Sequence, residues 1–230
     1  MASDQPPKNI DFPVQFAEQK IVHEKLFAEF ERQGRKTMVA SSHKQELADG
    51  PIKSVDIPTS WSRSSRYEDA VGSIVNFKPA AGKASLTSLE HNRPISEQAK
   101  QDFKKLLEEN TATTKMLTPG QVRSLSEVLG ERHMGDNQYT NPAKYPAADA
   151  PLFKLTNAQV MKENGRNVLE VEGSFMDQNG QPTELYRGVF SPSGKDGNKV
   201  NEFFLAAPSR EELVQQDSAY RKAIKSIEWR

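Results

Sequence analysis

The 230-residue chain contains no cysteine. Without a thiol it can form no disulfide, use no cysteine nucleophile and hold no thiolate-ligated zinc or iron–sulfur cluster. The absence suits a cytosolic protein, and it equally suits an exported protein that avoids mispaired thiols. The missing cysteines therefore exclude several kinds of chemistry and leave the compartment open.

The chain also lacks an excess of charge of either sign, because 31 basic residues balance 31 acidic ones. A neutral molecule has no overall field that attracts polyanions, so we expect no nucleic-acid partner. No apolar run approaches about 18 residues, and the opening residues lack an apolar segment, so we expect neither a membrane span nor a secretory signal. These absences indicate a cytoplasmic protein, with export or secretion as the alternative.

The first 50 residues read as an extension to the rest of the chain. Residues 1–13 are polar and contain three prolines, and an amphipathic helix is predicted from Val14 to about Arg32. Its apolar stripe would either cover the main domain or dock on a partner or a second copy, which would make a homodimer. We expect a single α+β domain over residues 51–230.

Three turn signals dominate the C-terminal part: Asn164-Gly165, Asn179-Gly180 and Asp196-Gly197. Asn-Gly and Asp-Gly tolerate the positive φ angles of tight hairpin turns, and each pair lies between runs typical of strands. The sequence therefore predicts a four-strand antiparallel meander that begins at Leu152. The alternation around Glu170 and Glu172 predicts that its second strand has one solvated face.

A capped helix is predicted to follow the meander, with Ser209 as N-cap and Glu212 at position N3. Upstream, strands are predicted in three segments and helices in two, with a turn-like stretch at 61–67 and a long loop at 131–151. The strand segments are Ser54–Pro58, Tyr67–Phe77 and Ala84–Glu90, and the helices are Ile95–Glu109 and 118–130. The fold class is thus α+β, an antiparallel sheet of six or seven strands flanked by helices.

Two short motifs resemble the PsbP, Mog and DcrB group of α/β sandwich proteins. One is the end of the last helix, Ala223–Trp229, and the other is the strand entry Ile57–Trp61. Helix Ile95–Glu109 falls where a helix of that group covers one face of the sheet. The resemblance implies a sandwich that docks on other proteins and shares no catalytic residues with its relatives, so it transfers no functional residue.

Motifs that would identify an enzyme are incomplete. His23-Glu24 begins like a zinc-protease motif, but Phe27 stands where the second ligand would be. Gly82-Lys83 lacks the earlier glycine of a phosphate-binding loop, and Ser41 with Lys44 lacks the partner motifs of acyl enzymes. We expect no catalytic residue, no metal site and no cofactor.

One enzymatic alternative remains open. His91 and His133 could meet carboxylates in a pocket built from loop 131–151 and the sheet, which would indicate a hydrolase-type enzyme. Clustered histidines would favour this alternative, and scattered histidines would count against it.

The candidate partner-binding residues are aromatic and basic. Tyr139 and Tyr145 lie on the long loop, where exposed aromatics often anchor an interface. Trp61, Arg63 and Arg66 could clamp a partner, although such rings often pack at a strand entry instead. We therefore predict a non-catalytic interaction or accessory module that binds another protein. Besides the hydrolase, a second alternative is a secreted bacterial effector or virulence-associated protein exported without a cleaved signal.

Overall fold

The computed structural model describes residues 41–68, 72–109, 115–117, 121, 124–125, 127–129, 152–177 and 181–230. All of them belong to one compact unit, Ala40–Arg230. The predicted helix 14–32 and the loop 131–151 lie outside the described residues, so both stay predictions.

The described residues form eleven strands and two helices longer than ten residues. The strands are β1 (Ser42–Glu46), β2 (Ile52–Pro58), β3 (Trp61–Glu68), β4 (Gly72–Pro79), β5 (Ser85–His91), β6 (Lys115–Met116), β7 (Leu152–Glu163), β8 (Arg166–Met176), β9 (Pro182–Ser193), β10 (Lys199–Ala207) and β11 (Glu228–Trp229). The helices are α1 (Glu97–Glu109) and α2 (Arg210–Ser226). Residues 127–129 are also helical.

The strands form two antiparallel sheets. The larger has eight strands in the order β3-β4-β5-β10-β9-β8-β7-β6, and the smaller has the order β1-β2-β11. The predicted α+β class and the meander β7–β10 are confirmed, because each meander strand pairs antiparallel with the next. The expected six or seven strands are too few for the larger sheet, which includes the two-residue β6, and the smaller sheet was not foreseen.

The three predicted turns have different outcomes. Asn164 and Gly165 have φ angles of 47° and 81°, as a tight hairpin between β7 and β8 requires. Asn179-Gly180 lies outside the described residues. Between β9 and β10 the predicted tight turn at Asp196-Gly197 is a longer connection, in which the Gly197 N–H donates to the Gly194 carbonyl at 3.2 Å.

Helix α2 begins as predicted. Ser209 is the N-cap, and its side chain accepts a hydrogen bond from the Glu212 N–H at 3.2 Å. Glu212 does not complete a capping box, since its carboxylate accepts instead from the N–H groups of Lys83 and Ala84 at 2.7 and 2.9 Å. The second half of the motif therefore ties the helix to the loop before β5.

Three local predictions are wrong. Residues 61–67, read as a turn, lie in β3, an edge strand with a register irregularity between Arg63 and Ser65. Its exposed Ser-Arg-Ser run has no alternation of apolar and polar residues, which is the pattern that predicts a strand. The polar segment 42–46 forms β1, and the last helix ends at Ser226, leaving Glu228–Trp229 to pair with β2.

The larger sheet is the middle layer of the fold. We call the side that packs against α2 and the smaller sheet the α2 face, and the opposite side the α1 face. The α2 face buries Trp61, Phe77, Phe203 and Leu205 with Tyr220 of α2. The α1 face buries Phe103 of α1 with a second set of apolar residues: Leu125, Val128, Leu129, Leu169, Val171, Phe190 and Phe204.

Candidate functional site

A cluster of charged side chains lies between the sheet and α2. Arg187 of β9 donates from Nε to Glu170 at 3.0 Å, and its Nη1 and Nη2 lie 2.8 Å from Asp217 and Glu172 respectively. Glu172 faces Arg187 directly across the β8–β9 register. The Arg187 side chain is only 8% exposed, so these interactions form in a medium that strengthens them.

Burial shapes the protonation of this cluster. It raises the pKa of the Glu172 carboxyl, and the charge of Arg187 opposes that rise. Burial alone would lower the pKa of Arg187, but the charges of Glu170 and Glu172 outweigh the effect of burial and hold that pKa above its ordinary value. The cluster therefore keeps a buried guanidinium charged while its three carboxylate partners hold α2 against the sheet.

The sequence did not reveal this cluster. The alternation of β8 suggested that Glu170 and Glu172 face solvent, yet they are 2% and 9% exposed. A polar alternate position predicts a solvated face only when no further layer covers it. One signal was present: Arg187 follows at the matching cross-strand position of the next hairpin strand.

A second buried polar group lies on the α1 face. Glu202 of β10 is fully buried. It accepts a hydrogen bond from the Tyr186 hydroxyl at 2.6 Å, and its other oxygen lies 3.1 Å from Nε2 of His91. A side chain at Gly188 would clash with Tyr186, so glycine at this position leaves room for the hydroxyl to reach Glu202.

Aromatic rings surround the Tyr186 end of this chain of contacts. Tyr186 stacks on Phe204 with centroids 5.2 Å apart and meets Phe153 and Phe175 edge-on at 5.6 and 6.3 Å. These geometries are the favourable ones for aromatic pairs. The arrangement holds the Tyr186 ring in one orientation, which aims its hydroxyl at the buried carboxylate.

A polar pocket of about 320 Å³ opens between the two sheets. We call it the seam pocket; its lining consists of Gly50, Pro51, Glu90, Arg166, Pro192, Ser193, Gly194 and Arg230. Ser193 donates a hydrogen bond to one oxygen of Glu90. Burial raises the pKa of Glu90, and the hydrogen bond from Ser193 opposes that rise.

The structure separates the predicted partner-binding residues. Trp61 is 4% exposed and packs in the core of the α2 face. Arg63 is exposed, and its Nη2 donates to Gln45 Oε1 and to the Glu46 carbonyl at 3.1 and 3.0 Å. Arg66 belongs to the same edge strand, β3.

The loop residues Tyr139 and Tyr145 lie outside the described residues. The role of all five side chains in binding a partner stays a prediction.

The histidines that the structure describes do not meet. His43 lies on β1 of the smaller sheet and His91 on β5 of the larger one, while His23 and His133 fall outside the described ranges. Within those ranges no three histidine or acidic side chains are grouped as a metal ion would require. Glu202 is the contact that sequence reasoning missed for His91.

A membrane span was not expected from the sequence. Neither α1 nor α2, nor any other helical stretch in the described part of the chain, has the length and apolar character to cross a bilayer.

Comparisons with known proteins add one structural likeness. No protein-family model and no curated protein matches the sequence. The chain is similar to the solution structure of cyanobacterial PsbP (CyanoP) from Synechocystis sp. PCC 6803, with a TM-score of 0.46 and 11% identity over 85% of this chain and 96% of that chain. PsbP is one of the groups that the motifs at Ile57–Trp61 and Ala223–Trp229 resemble, and a likeness at this level carries nothing about function.

Proposed function

We propose that this protein is a non-catalytic interaction or accessory module that binds another protein. The observation that supports this best is the Arg187 cluster. Each group of the guanidinium, Nε, Nη1 and Nη2, has its own carboxylate within 3.0 Å. Charged groups that bind one another so completely have little left to offer a substrate, and their effect is to hold the layers together.

A scaffold of this kind leaves its exposed segments for binding. The segment 131–151, which the sequence predicts to be a long loop, carries Tyr139 and Tyr145, two side chains of a type enriched in interface hot spots. Arg63 on the edge strand β3 is a second exposed candidate, although Gln45 and Glu46 already engage it. The loop is therefore the first place to look for the partner-binding surface.

The proposal is tested with tagged full-length protein in the cells that produce it. A stable, stoichiometric partner should co-purify with the wild type, and the double change Tyr139→Ala and Tyr145→Ala should reduce its recovery at least tenfold, as expected for loss of two hot spots. Lys104→Ala and Lys105→Ala on the exposed side of α1 form the matched control and should leave recovery unchanged.

The opposite outcome is also clear. Recovery of the protein alone, with a tightly bound small molecule or a measurable hydrolytic activity, would contradict the proposal. A cytoplasmic location belongs to the same proposal; detection of the intact chain outside the cell would favour an exported effector instead.

The second candidate is an enzyme, and one contact favours it. Glu202 lies against Nε2 of His91, and a buried carboxylate that orients an imidazole is a common feature of acid–base sites. His91→Gln should abolish activity on a panel of ester and amide substrates if this candidate is correct. Unchanged background hydrolysis with His91→Gln would remove it.

A further inference from the structure

The seam pocket contains two guanidinium groups that no acidic side chain neutralises. In the described part of the chain, neither Arg166 nor Arg230 forms an ion pair. Arg166 stacks on the ring of Trp229, with its Cζ 4.9 Å from the ring centroid, and its Nη1 has no hydrogen-bond partner. The guanidinium of Arg230 donates to the backbone carbonyls of Leu47 and Gly50.

This arrangement differs from that of Arg187, which is buried, whereas Arg166 is half-buried and Arg230 is exposed. Arg187 has three carboxylates around it, whereas Arg166 and Arg230 share one pocket with a single carboxyl, that of Glu90. Two guanidinium groups that line one pocket can both donate to the same anion, which makes this pocket a candidate anion site. The stacking of Arg166 on Trp229 also fixes one guanidinium before any ligand arrives, which lowers the entropic cost of binding.

We propose that the seam pocket binds a small oxyanion, a phosphate or carboxylate group, between the guanidinium groups of Arg166 and Arg230. The volume of about 320 Å³ lies at the low end of the range for ligand pockets. Four of its eight lining residues are polar or charged and the other four are glycine or proline, which favours a compact hydrated group over an apolar molecule. Arginine recognises both oxyanions through paired N–H groups.

Glu90 makes this binding depend on pH. Its carboxyl lines the same pocket, and an ionised carboxylate would repel an incoming anion. The groups around Glu90 are Ser193, Asn201, Lys199 and His91, and burial outweighs all of them in raising its pKa. An oxyanion is therefore bound more tightly as the pH falls and Glu90 takes up a proton, so anion binding is linked to proton uptake.

The experiment is a titration of the full chain with inorganic phosphate, followed by the indole N–H signals of its two tryptophans in NMR spectra. Trp229 stacks on Arg166 and should shift, whereas Trp61 lies in the core and should not. Sodium acetate in a separate arm distinguishes a carboxylate site from a phosphate site. Sodium chloride at equal ionic strength controls for screening.

Variants make the test specific. Arg166→Gln should weaken phosphate binding about tenfold, the usual effect of losing one charged hydrogen-bond donor. Arg166→Lys should retain part of the affinity, and Arg210→Gln, which removes an exposed charge at the start of α2, should change it less than about twofold. Glu90→Gln should bind phosphate more tightly than wild type at pH 7, and its affinity should then vary with pH only through the ionisation of phosphate itself.

Two results would overturn the proposal. One is a Trp229 signal that moves no further with phosphate or acetate than with chloride. The other is an equal loss of affinity in Arg166→Gln and Arg210→Gln, which would mean a diffuse charge effect. Neither result bears on the interaction module proposed above, since that proposal depends on a different segment of the chain.

Discussion

The two faces of the larger sheet stabilise buried acidic side chains in different ways. Each buries carboxylate groups that water would otherwise solvate. On the α2 face, Glu170 and Glu172 are neutralised by Arg187. On the α1 face, Glu202 is stabilised by the hydroxyl of Tyr186 and the imidazole of His91.

The difference shows what each layer requires. The cluster on the α2 face joins β8, β9 and α2 through one guanidinium, so it fixes how the helix lies on the sheet. The contacts on the α1 face join β5, β9 and β10 within the sheet itself, and the buried side chains of α1 on that face are apolar. We expect the α2 face to depend on charge balance and the α1 face on hydrogen bonding and ring packing.

The largest expected effect is on the α2 face. Arg187→Met leaves two buried carboxylates and Asp217 without their cation, so it should lower the free energy of unfolding by about 3–5 kcal/mol. Urea denaturation measures this loss. The triple variant with Glu170→Gln and Glu172→Gln should recover most of it, because the two buried carboxylates are then neutral and Asp217 keeps its ion pair with Arg221 at 2.8 Å. A loss below about 1 kcal/mol in Arg187→Met alone would contradict the role of the cluster.

The next effect compares one buried tyrosine on each face. Tyr186→Phe removes the buried hydrogen bond to Glu202 and leaves that side chain without one of its partners, so it should cost about 1–3 kcal/mol of unfolding free energy. Tyr220→Phe is the matched control, because the Tyr220 hydroxyl is buried with no hydrogen-bond partner in the described residues. It should be neutral or stabilising by urea denaturation, and equal losses in the two variants would refute the difference between the faces.

A smaller effect is expected at the turn between β7 and β8, which contacts the C-terminal end of α2. Asn164 donates from Nδ2 to the carbonyls of Lys225 and Ile227 at 2.7 and 2.8 Å, so it caps the helix end. Asn164→Gly keeps the positive φ and loses only these bonds, for a cost of about 1 kcal/mol. Asn164→Ala should cost about 1 kcal/mol more because alanine disfavours that φ; thermal melts that rank the two variants in the other order would show that φ is not limiting.

The smallest effect concerns pH. Since burial raises the pKa of Glu90 in the folded state, the stability that its protonated form contributes is present below the unfolded value, about 4.5, and is lost as the pH rises through the folded value. Glu90→Gln should therefore have a higher free energy of unfolding than wild type at pH 7, by less than about 1 kcal/mol. The two proteins should converge below pH 4.5, and a constant difference across the range would point to packing instead.

Much of the fold could be predicted because local chemistry specifies it. Asn164-Gly165 tolerates positive φ, Ser209 caps α2, and the apolar period of residues 95–109 produces α1. Strand β3 could not be predicted, since an edge strand with Ser62, Arg63 and Ser64 exposed carries no apolar alternation. Its strand character comes from pairing with β4, which is a non-local interaction.

The candidate sites were harder to predict than the fold. Trp61 and Arg63 attracted attention as a pair, and their spacing of two residues would place them on the same face of a strand. Trp61 nevertheless lies in the core, whereas Arg63 is exposed on the edge strand. Arg166 and Arg230 were not predicted as a site, because they are 64 positions apart in the sequence. The pairing of β11 with β2 brings the end of the chain beside β5 and β8, where both arginines line one pocket. A site assembled across such distances has no spacing that a sequence pattern could display.

The sequence by itself determined the absence of thiol chemistry, the balance of charge, the meander and the capped terminal helix, because composition, turn propensity and apolar period are local properties. Only the tertiary structure decided that the polar side of β8 is buried, that Arg187 neutralises it, and that Arg166 and Arg230 meet at one pocket. The physical reason is that burial and charge pairing depend on which layer covers a strand, and that is settled when distant parts of the chain pack together.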